Sequence, residues 1–444
     1  MNEEIIQSLE SSGVEFIRVL WCDNANIIRG KAVYAKSFQQ WYGTGVGISE
    51  AQMGVPVMYD ALVEGSGLSP AGEVHLMPDW ASCTSLPYAQ GHARVMGDMM
   101  KKGEPWPLCP RGFLRKIVAA AENEDLEIKC SFENEFYLLK ELVDSPVPLD
   151  YTPFAATYAM DFSKNVIEDI TRALIAQGIT VEQYYPESGP GQAEITMHYT
   201  TPMQAADNQI AFRETVHATA LHHGMRASFM PKLFGDKAGS GCHIHMSLWQ
   251  KGQNITADGE DPHGISKATR SFIAGLLEHL PALMAITVPV PNSYKRLKPH
   301  CWSGAFRCWG PDNREAAVRT ISDPVGKRVW SFEFKTIDAA SNPYIAMAAV
   351  IAAGLDGVKR NIALASPALS DPGSLSVKEM MDLGIERLPE HPDVSIGHLE
   401  KDEVLLNAMG ERLAKAFIAV RKAECAAMKN FKHVEEVEML ADKY

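Results

Sequence analysis

One apolar segment, residues 130–139 (CSFENEFYLL), constrains the fold of this chain more than any other. Polar and apolar residues alternate in its first half, which is typical of a β-strand with one buried face. Glu133 and Glu135 are two positions apart, so both carboxylates point to the same side of the strand. Adjacent like charges destabilise a sheet unless a cation neutralises them. Such a pair by itself usually marks a solvated face, so other acidic residues decide its meaning.

Further acidic residues lie in β-rich segments elsewhere in the chain. Glu187 and Glu194 flank a Gly-Pro-Gly turn, and Glu333 lies in the apolar run VWSFEFK. His243 and His245 share one face of a strand that follows a glycine loop. Five glutamates and a histidine on strand faces predict a site for two or more divalent cations, Mg²⁺ or Mn²⁺ before Zn²⁺. Two such ions suit phosphoryl transfer from a nucleotide such as ATP.

Basic residues supply the other half of this predicted site. Arg296, Arg314 and Arg319 lie between apolar segments of a chain with 42 Lys and Arg against 55 Asp and Glu. Taken singly, they would be surface charges. In an acidic chain, arginine's planar fork is better interpreted as a clamp for phosphate or carboxylate.

The pattern along the chain predicts two domains and an α+β fold. Residues 1–107 contain short strands and turns, including a hairpin of residues 14–23 with residues 24–35. The Pro-rich stretch at residues 101–110 places the boundary, and residues 108–444 form the second domain. There we expect helices at residues 111–124, 165–178 and 203–224 beside an antiparallel sheet, with helices packed on one side.

Composition and charge exclude several classes of protein. A formal charge of -13 disfavours nucleic acid and anionic membrane as partners. No apolar run reaches the roughly 18 residues of a membrane span, and the acidic start is unlike a secretory signal. Eight scattered cysteines form no C-x-x-C pair, as expected of reduced thiols. We therefore expect a cytoplasmic protein.

An ordered series of motifs resembles the glutamine synthetase superfamily: SFENEF, ESGPGQAEI, GSGCHIH, NSYKRL, WGPDNREAAVR and FEFKTIDAASNPYIAMAAVIAAGLDG, between about residues 131 and 357. The N-terminal region resembles that family's β-grasp domain. The resemblance implies a catalytic domain with a curved antiparallel sheet flanked by helices. It also implies a reaction in which ATP phosphorylates a carboxylate, usually that of glutamate, and an amine then displaces phosphate. A further implication is a homo-oligomer of stacked hexameric rings, a dodecamer, with active sites between subunits.

The resemblance assigns roles position by position. Glu135, Glu187 and Glu194 match the ligands of one metal ion, and Glu133, His243 and Glu333 match those of the second. Glu182, Tyr199, His245, Ser247 and Arg319 match nucleotide contacts. Gly239, Arg296 and Lys335 match the site of the amino-acid substrate. Arg314 and Arg319 match arginines that hold the transferring phosphate.

Departures from the family pattern concern the amine. The family's flap, P-G-[YF]-E-A-P, carries a glutamate that takes a proton from ammonium, and here PHCWSG places Trp302 at that position. The family's F-D-G-S-S loop corresponds to residues 45–52, which contain no aspartate. Holding ammonium requires negative charge, which an indole lacks. In the carboxylate site, Ala238 replaces the asparagine of an N-G-S-G loop, and Lys335 replaces an arginine.

Three functions remain open from the sequence. The first is a ligase that joins glutamate, or a related carboxylate, to an organic amine; the flap resembles a divergent branch that includes polyamine and alkylamine ligases. The second is a glutamine synthetase that uses ammonia behind a remodelled flap. The third is a catalytically weak structural or regulatory relative, which the retained metal set disfavours because clustered carboxylates without a cation are costly.

Overall fold

The computed structural model describes residues 2–41, 43–142, 145–323, 325 and 328–444. The N-terminal part contains α1 (Asn2–Ser11), β1 (Phe16–Cys22), β2 (Ile28–Tyr34), β3 (Val46–Ser49), β4 (Glu73–Ser85), β5 (His92–Lys101) and β6 (Glu104–Pro105). In the described residues these strands form a mixed sheet in the order β2-β1-β5-β4-β3, with β6 on β5. The predicted hairpin is confirmed, since β1 and β2 pair antiparallel.

The rest of the chain builds a larger sheet and most of the helices. Its first half contains α2 (Pro110–Glu122), β7 (Glu127–Glu141), β8 (Val147–Pro148), α3 (Thr157–Ala176), β9 (Val181–Pro186), β10 (Gln192–Met197), α4 (Pro202–His222), β11 (Arg226–Ser228), β12 (Cys242–Gln250) and β13 (Gln253–Asn254). Its second half contains α5 (Lys267–Thr287), α6 (Pro291–Arg296), β14 (Phe306–Pro311), β15 (Ala316–Ser322), β16 (Val329–Phe334), α7 (Pro343–Arg360), α8 (Val377–Leu383), β17 (Glu386–Arg387), α9 (Pro392–Leu399), α10 (Glu403–Met409), α11 (Glu411–Met428) and α12 (His433–Leu440).

The larger sheet has the order β17-β14-β15-β16-β12-β7-β10-β9, with β7 near its middle. Its ladders are antiparallel apart from the parallel pair β14 and β15. The predicted α+β class is confirmed. The helix expected at residues 165–178 begins earlier, at Thr157, because the apolar spacing of residues 159–166 already buries Ala159 and Val166.

The helices pack closely because glycines occur where two of them cross. A Cβ on Gly357 of α7 would lie 2.0 Å from the Ser271 carbonyl of α5, and one on Gly275 would lie 2.2 Å from the Ala353 carbonyl. Only a residue without a side chain allows the two backbones to approach this far. Helix α7 begins at an Asn342 cap, whose side chain accepts from the backbone of Tyr344 and Ile345.

A buried ion cluster ties the N-terminal sheet to helices α2 and α4. Arg111 of α2 is 3% exposed and lies 2.9 Å from Asp79, 2.7 Å from Asp98 and 2.8 Å from Asp207. Asp79 and Asp98 belong to the N-terminal sheet, whereas Asp207 lies on α4.

Within the described residues, no helix is long and apolar enough to cross a membrane. The division at residue 107 stays a prediction.

Candidate active site

Strand register gathers the predicted metal residues on one face of the larger sheet. Glu133 of β7 lies opposite His243 of β12, and Glu135 lies opposite Glu194 of β10. On the next strand, Glu333 lies opposite His245. Side chains that are opposite in register point to the same face, so residues up to two hundred positions apart converge. The alternate positions of β7 point the other way, into the core.

The two histidines both lie among the carboxylates. His243 Nδ1 lies 3.1 Å from Oε1 of Glu133 and 3.1 Å from Oε1 of Glu333. His245 Nε2 lies 3.1 Å from Oε2 of Glu133. Ligand atoms of Glu133, His245 and Glu333 fall within 4.8 Å of one another. His245, predicted as a nucleotide contact, is therefore also placed to bind a metal ion; the role of His243 as the ligand stays a prediction.

The charges of Glu133 and Glu333 are compensated by their neighbours. Burial acts to raise the pKa of Glu133, but the charge of His245 and hydrogen bonds from both histidines hold it below its usual range. Burial acts the same way on Glu333, but the charge of Lys335, a hydrogen bond from His243 and the charges of both histidines together hold its pKa well below normal. Lys335 Nζ lies 2.9 Å from Oε1 of Glu333, and Arg319 Nε lies 2.8 Å from Oε2.

Glu187 and Glu194 lack such compensation. Burial, followed by the charge of Glu135, raises the pKa of Glu187 to about 7. Burial, followed by the charges of Glu133, Glu135 and Glu187, raises the pKa of Glu194 to about 10. Glu135 accepts a 3.0 Å hydrogen bond from the backbone of Gly241. These carboxylates repel one another, and a divalent cation bound between them would neutralise their charge.

The donor set fits hard divalent cations. Five carboxylates and an imidazole offer mostly oxygen ligands, which suit Mg²⁺ and Mn²⁺. Burial first, and then repulsion by neighbouring carboxylates, raises the pKa values of Glu187 and Glu194, and a bound divalent cation would relieve that repulsion. Nε2 of His243 is buried without a hydrogen-bond partner in the described structure, so this imidazole is held by packing and by its Nδ1 contacts.

A cavity of about 550 Å³ opens beside the carboxylates. Its lining contains the residues predicted to contact nucleotide and phosphate: Glu182, Tyr199, His245, Ser247, Arg314 and Arg319. It also includes Glu133 and Glu194, so the predicted nucleotide and metal residues share one space. Volumes of this size hold drug-sized ligands. Trp249 donates a 2.8 Å hydrogen bond to the Ser247 hydroxyl and fixes it.

The residues predicted for the amino-acid substrate form a packed corner. A Cβ on Gly239 would lie 2.4 Å from Cγ of Arg296, so this loop tolerates only glycine there. Arg296 is buried, and its Nη2 donates to the carbonyls of Lys335 (3.3 Å) and Ile337 (2.8 Å). Structurally, Arg296 therefore supports the end of β16. Its contact with substrate, like that of Lys335, stays a prediction.

Trp302 lies on an exposed turn beside the arginines. It is 53% exposed and adopts a left-handed backbone, with φ of 51°. Its backbone N–H donates a 2.8 Å hydrogen bond to Oε1 of Glu315. The guanidinium carbon of Arg314 lies 5.6 Å from the ring centroid, a cation–π distance. Trp302 is thus coupled to a predicted phosphate-holding residue.

Sequence reasoning missed three residues of this region. Gln192 donates through Nε2 to the Gly239 carbonyl at 3.0 Å and the Ser240 hydroxyl at 3.1 Å, which joins the two loops. Its position next to a glycine turn was the available signal. Tyr185 lines the cavity, and its position on the same strand face as Gln183 could have been found from alternation. Phe154 lies in a turn with no periodic signal.

The family models of two domains match this chain. The glutamine synthetase N-terminal domain matches residues 1–106, and the glutamine synthetase catalytic domain matches residues 107–440. The "Type-1 glutamine synthetase 1" of Dictyostelium discoideum is 35% identical, covering 99% of this chain and 91% of that protein. The "Gamma-glutamylpolyamine synthetase GlnA3" of Streptomyces coelicolor is 36% identical, covering 95% of this chain and 91% of that protein.

Solved structures agree with the sequence comparison. A GmaS–ADP complex superposes with a TM-score of 0.86 at 29% identity, covering 96% of this chain and 97% of that one. A novel glutamine synthase homolog gives the same TM-score of 0.86 at 29% identity, covering 97% of this chain and 99% of that one. The family uses ATP and divalent metal ions. This chain belongs to the glutamine synthetase family of ATP-dependent ligases, which form carbon–nitrogen bonds.

Proposed function

We propose that this protein joins the γ-carboxylate of glutamate to an organic amine, with ATP as the energy source and an acyl phosphate as the intermediate. The observation that carries the proposal is Trp302. An indole stacked on Arg314 borders the site where the family carries an acidic flap residue. An apolar, π-faced wall suits a carbon skeleton and gives ammonium no negative charge.

The chain's own residues account for the first half-reaction. Mg²⁺ or Mn²⁺ bound by the six predicted ligands would neutralise the terminal phosphates of ATP. Arg319 lies between the cavity and Glu333, so its guanidinium is oriented before the nucleotide arrives. Arg314 lies at the same cavity on the side of Trp302. Two arginines so placed can hold the equatorial oxygens of the phosphoryl group during its transfer to the carboxylate oxygen.

The second half-reaction forms the amide. The amine nitrogen attacks the acyl carbon, the phosphate leaves with its bonding electron pair, and the nitrogen releases its extra proton to solvent. Glu315 holds the backbone of the Trp302 turn, so the indole stays at the entrance while the amine approaches.

The carboxylate substrate is assigned to the corner formed by Gly239, Arg296 and Lys335. The guanidinium of Arg296 and the ammonium of Lys335 suit the carboxylate groups of an amino acid. Lys335 offers a point charge and not a bidentate fork. Lys335 already pairs with Glu333, so its ammonium couples this corner to the metal residues. Glutamate fits this arrangement because its γ-carboxylate must reach the phosphate while its α-carboxylate is held in the corner.

A phosphate-release screen tests the proposal. The protein is supplied with ATP, Mg²⁺ and glutamate, and with ammonium or organic amines in parallel reactions. We expect faster phosphate release with at least one organic amine than with ammonium, and a γ-glutamyl amide by mass spectrometry. Faster turnover with ammonium than with every organic amine would show that the proposal is wrong.

A glutamine synthetase that uses ammonia is the second candidate, favoured by the 35% identity to the Dictyostelium protein over 99% of this chain. The variant Trp302→Glu separates the two. If the protein prefers organic amines, this substitution lowers turnover with amines and raises turnover with ammonium. If the protein is adapted to ammonia already, Trp302→Glu leaves the preference unchanged.

Two further expectations belong to this proposal. The catalytically weak relative would bind no metal and consume no ATP with any pair of carboxylate and amine, which calorimetry and the same screen detect. The expected homo-oligomer of stacked hexameric rings, with sites between subunits, predicts a particle of about twelve chains by light scattering.

A further inference from the structure

Three aromatic rings form a continuous wall from the flap to the metal residues. The ring centroids of Trp302 and Phe154 are 6.2 Å apart with planes at 78°, and those of Phe154 and Tyr185 are 6.1 Å apart at 67°. Both contacts are edge-to-face, the geometry that aromatic pairs prefer. We call Trp302, Phe154 and Tyr185 the aromatic wall.

The inner end of the wall lies at the reacting centre. Tyr185 lines the same cavity as Glu133 and Glu194, and its hydroxyl donates a hydrogen bond to Glu187. The acyl phosphate would form beside these carboxylates. An amine nitrogen that reaches the inner end is therefore next to the carbon that it attacks.

The outer end of the wall is open to solvent. Trp302 is 53% exposed and Phe154 is 43% exposed, although both are large apolar side chains. Neither ring is needed to fill the core, since Phe154 lies in a turn and Trp302 lies on the flap. Exposed apolar rings that contact each other beside a cavity offer a surface for the hydrocarbon part of a ligand.

The charges around the outer end are unfavourable to a second ammonium group. Arg314 places its guanidinium on the Trp302 ring. Glu315 is buried, and its Oε1 accepts from the Trp302 backbone. Asp371 is paired at 2.7 Å with His300. In the described part of the chain, the charged group stacked on the aromatic wall is thus the cation of Arg314. The carboxylates of Glu315 and Asp371 beside it already have hydrogen-bond or ion-pair partners.

We propose that the aromatic wall binds the tail of the amine, and that the substrate class is a primary monoamine with an alkyl or aryl tail. This inference rests on the proposed function and adds Phe154 and Tyr185 as residues that determine specificity. The amino group enters first along Tyr185, and the tail lies against Phe154 and Trp302. A diamine of equal length would place its second charge near Arg314, where it is repelled.

The test measures kcat and KM for a series of linear primary monoamines and for diamines of matched length, with ATP, Mg²⁺ and glutamate. In the unmodified protein we expect KM to fall about two- to fourfold for each added methylene over the first few carbons. We expect each diamine to have a higher KM than the monoamine of equal length. The KM for glutamate should not depend on the amine.

Variants then locate the effect. Phe154→Ala should remove most of the dependence of KM on tail length and leave the KM for glutamate unchanged, whereas Phe154→Leu, which keeps apolar surface, should retain part of it. Phe162→Ala is the matched control, because Phe162 is an exposed aromatic residue of α3 outside the wall. Tyr185→Phe keeps the ring and should keep the dependence on tail length. Thermal unfolding of each variant confirms that it is folded.

The outcomes are distinct. Turnover of amines without dependence on tail length, or a preference for the diamine over the matched monoamine, would overturn this inference and leave the proposed function standing. Loss of the dependence in Phe162→Ala to the same extent as in Phe154→Ala would also overturn it. Absence of turnover with every amine would overturn the proposed function and this inference together.

Discussion

Replacing Glu194 by glutamine should have opposite effects on the stability of the metal-free protein and on metal binding. Glu194 is 4% exposed, and its pKa is raised from 4.5 to about 10, by burial first and then by Glu133, Glu135 and Glu187. The folded state therefore keeps this carboxyl protonated across the neutral range, whereas the unfolded chain ionises it. As the pH rises from 4.5 towards 10, the unfolded state gains stability that the folded state does not share.

The magnitude follows from this difference. At about pH 8 the pH exceeds the unfolded pKa by about 3.5, and at about 1.4 kcal/mol per pH unit the penalty has an upper limit of about 5 kcal/mol. At about pH 6 the same calculation gives about 2 kcal/mol. Relaxation and water penetration reduce both values. Because glutamine cannot ionise, Glu194→Gln should stabilise the metal-free protein by at least about 2 kcal/mol at about pH 8, and by less at about pH 6.

Urea unfolding in the presence of EDTA, at both pH values, measures the first effect, and repetition with Mg²⁺ measures the second. The unmodified protein should gain stability from Mg²⁺, and Glu194→Gln should lose most of that gain because a ligand is missing. Glu182→Gln is the control, since the side chain of Glu182 is 48% exposed and its change should stay within about 0.5 kcal/mol. The reasoning fails if Glu194→Gln in EDTA at about pH 8 is no more stable than the unmodified protein, or if it keeps the full stabilisation by Mg²⁺.

Three further predictions concern the metal cluster and the scaffold. At about pH 7.5, Mg²⁺ binding should release about one proton, mainly from Glu194, and calorimetry in buffers of different ionisation enthalpy should show it; an enthalpy independent of the buffer would contradict this. Arg111→Met leaves three aspartates without their shared cation and should cost about 3–5 kcal/mol in urea unfolding, against less than about 1 kcal/mol for the exposed control Arg115→Met; equal costs would contradict a role for the buried cluster. Gly357→Ala should cost about 1–3 kcal/mol because its Cβ meets the backbone of α5, whereas Gly397→Ala, with nothing within 4 Å, should be neutral or stabilising by up to about 1 kcal/mol. Similar results for the two glycine variants would show that helix contact does not decide the effect.

Local patterns were sufficient for much of the scaffold. Alternation located β7, and helical patterns located α2, α3 and α4, because these elements bury apolar positions that recur with the period of a strand or of a helix. The convergence of Glu133, Glu194 and Glu333 was foreseen from their shared strand character and from the family motifs. Alternation determines on which face of a strand a side chain lies. The same rule places His245 beside Glu133 and also at the nucleotide cavity.

Contacts between distant segments could not be read from the sequence. The Arg111 cluster joins residues of β4, β5 and α4, and nothing local to Asp79 or Asp207 marks them as partners. Phe154 lies in a turn, where no periodicity applies, yet it contacts both Trp302 and Tyr185. Such pairs depend on how loops return over the sheet, which is determined by the packing of the whole chain and not by any short segment.

The turn that carries Trp302 has an evolutionary consequence. His300 and Trp302 both adopt left-handed backbone, with φ of 60° and 51°, a conformation that costs an unbranched side chain about 1–2 kcal/mol and a β-branched one more. Glu315 holds this turn through the backbone N–H of Trp302, which every residue except proline possesses. An exchange between unbranched residues at this position, such as tryptophan for glutamate, therefore leaves the shape of the loop intact. If the proposed function holds, a single substitution at position 302 would change which amine the enzyme accepts, and no new loop would be needed.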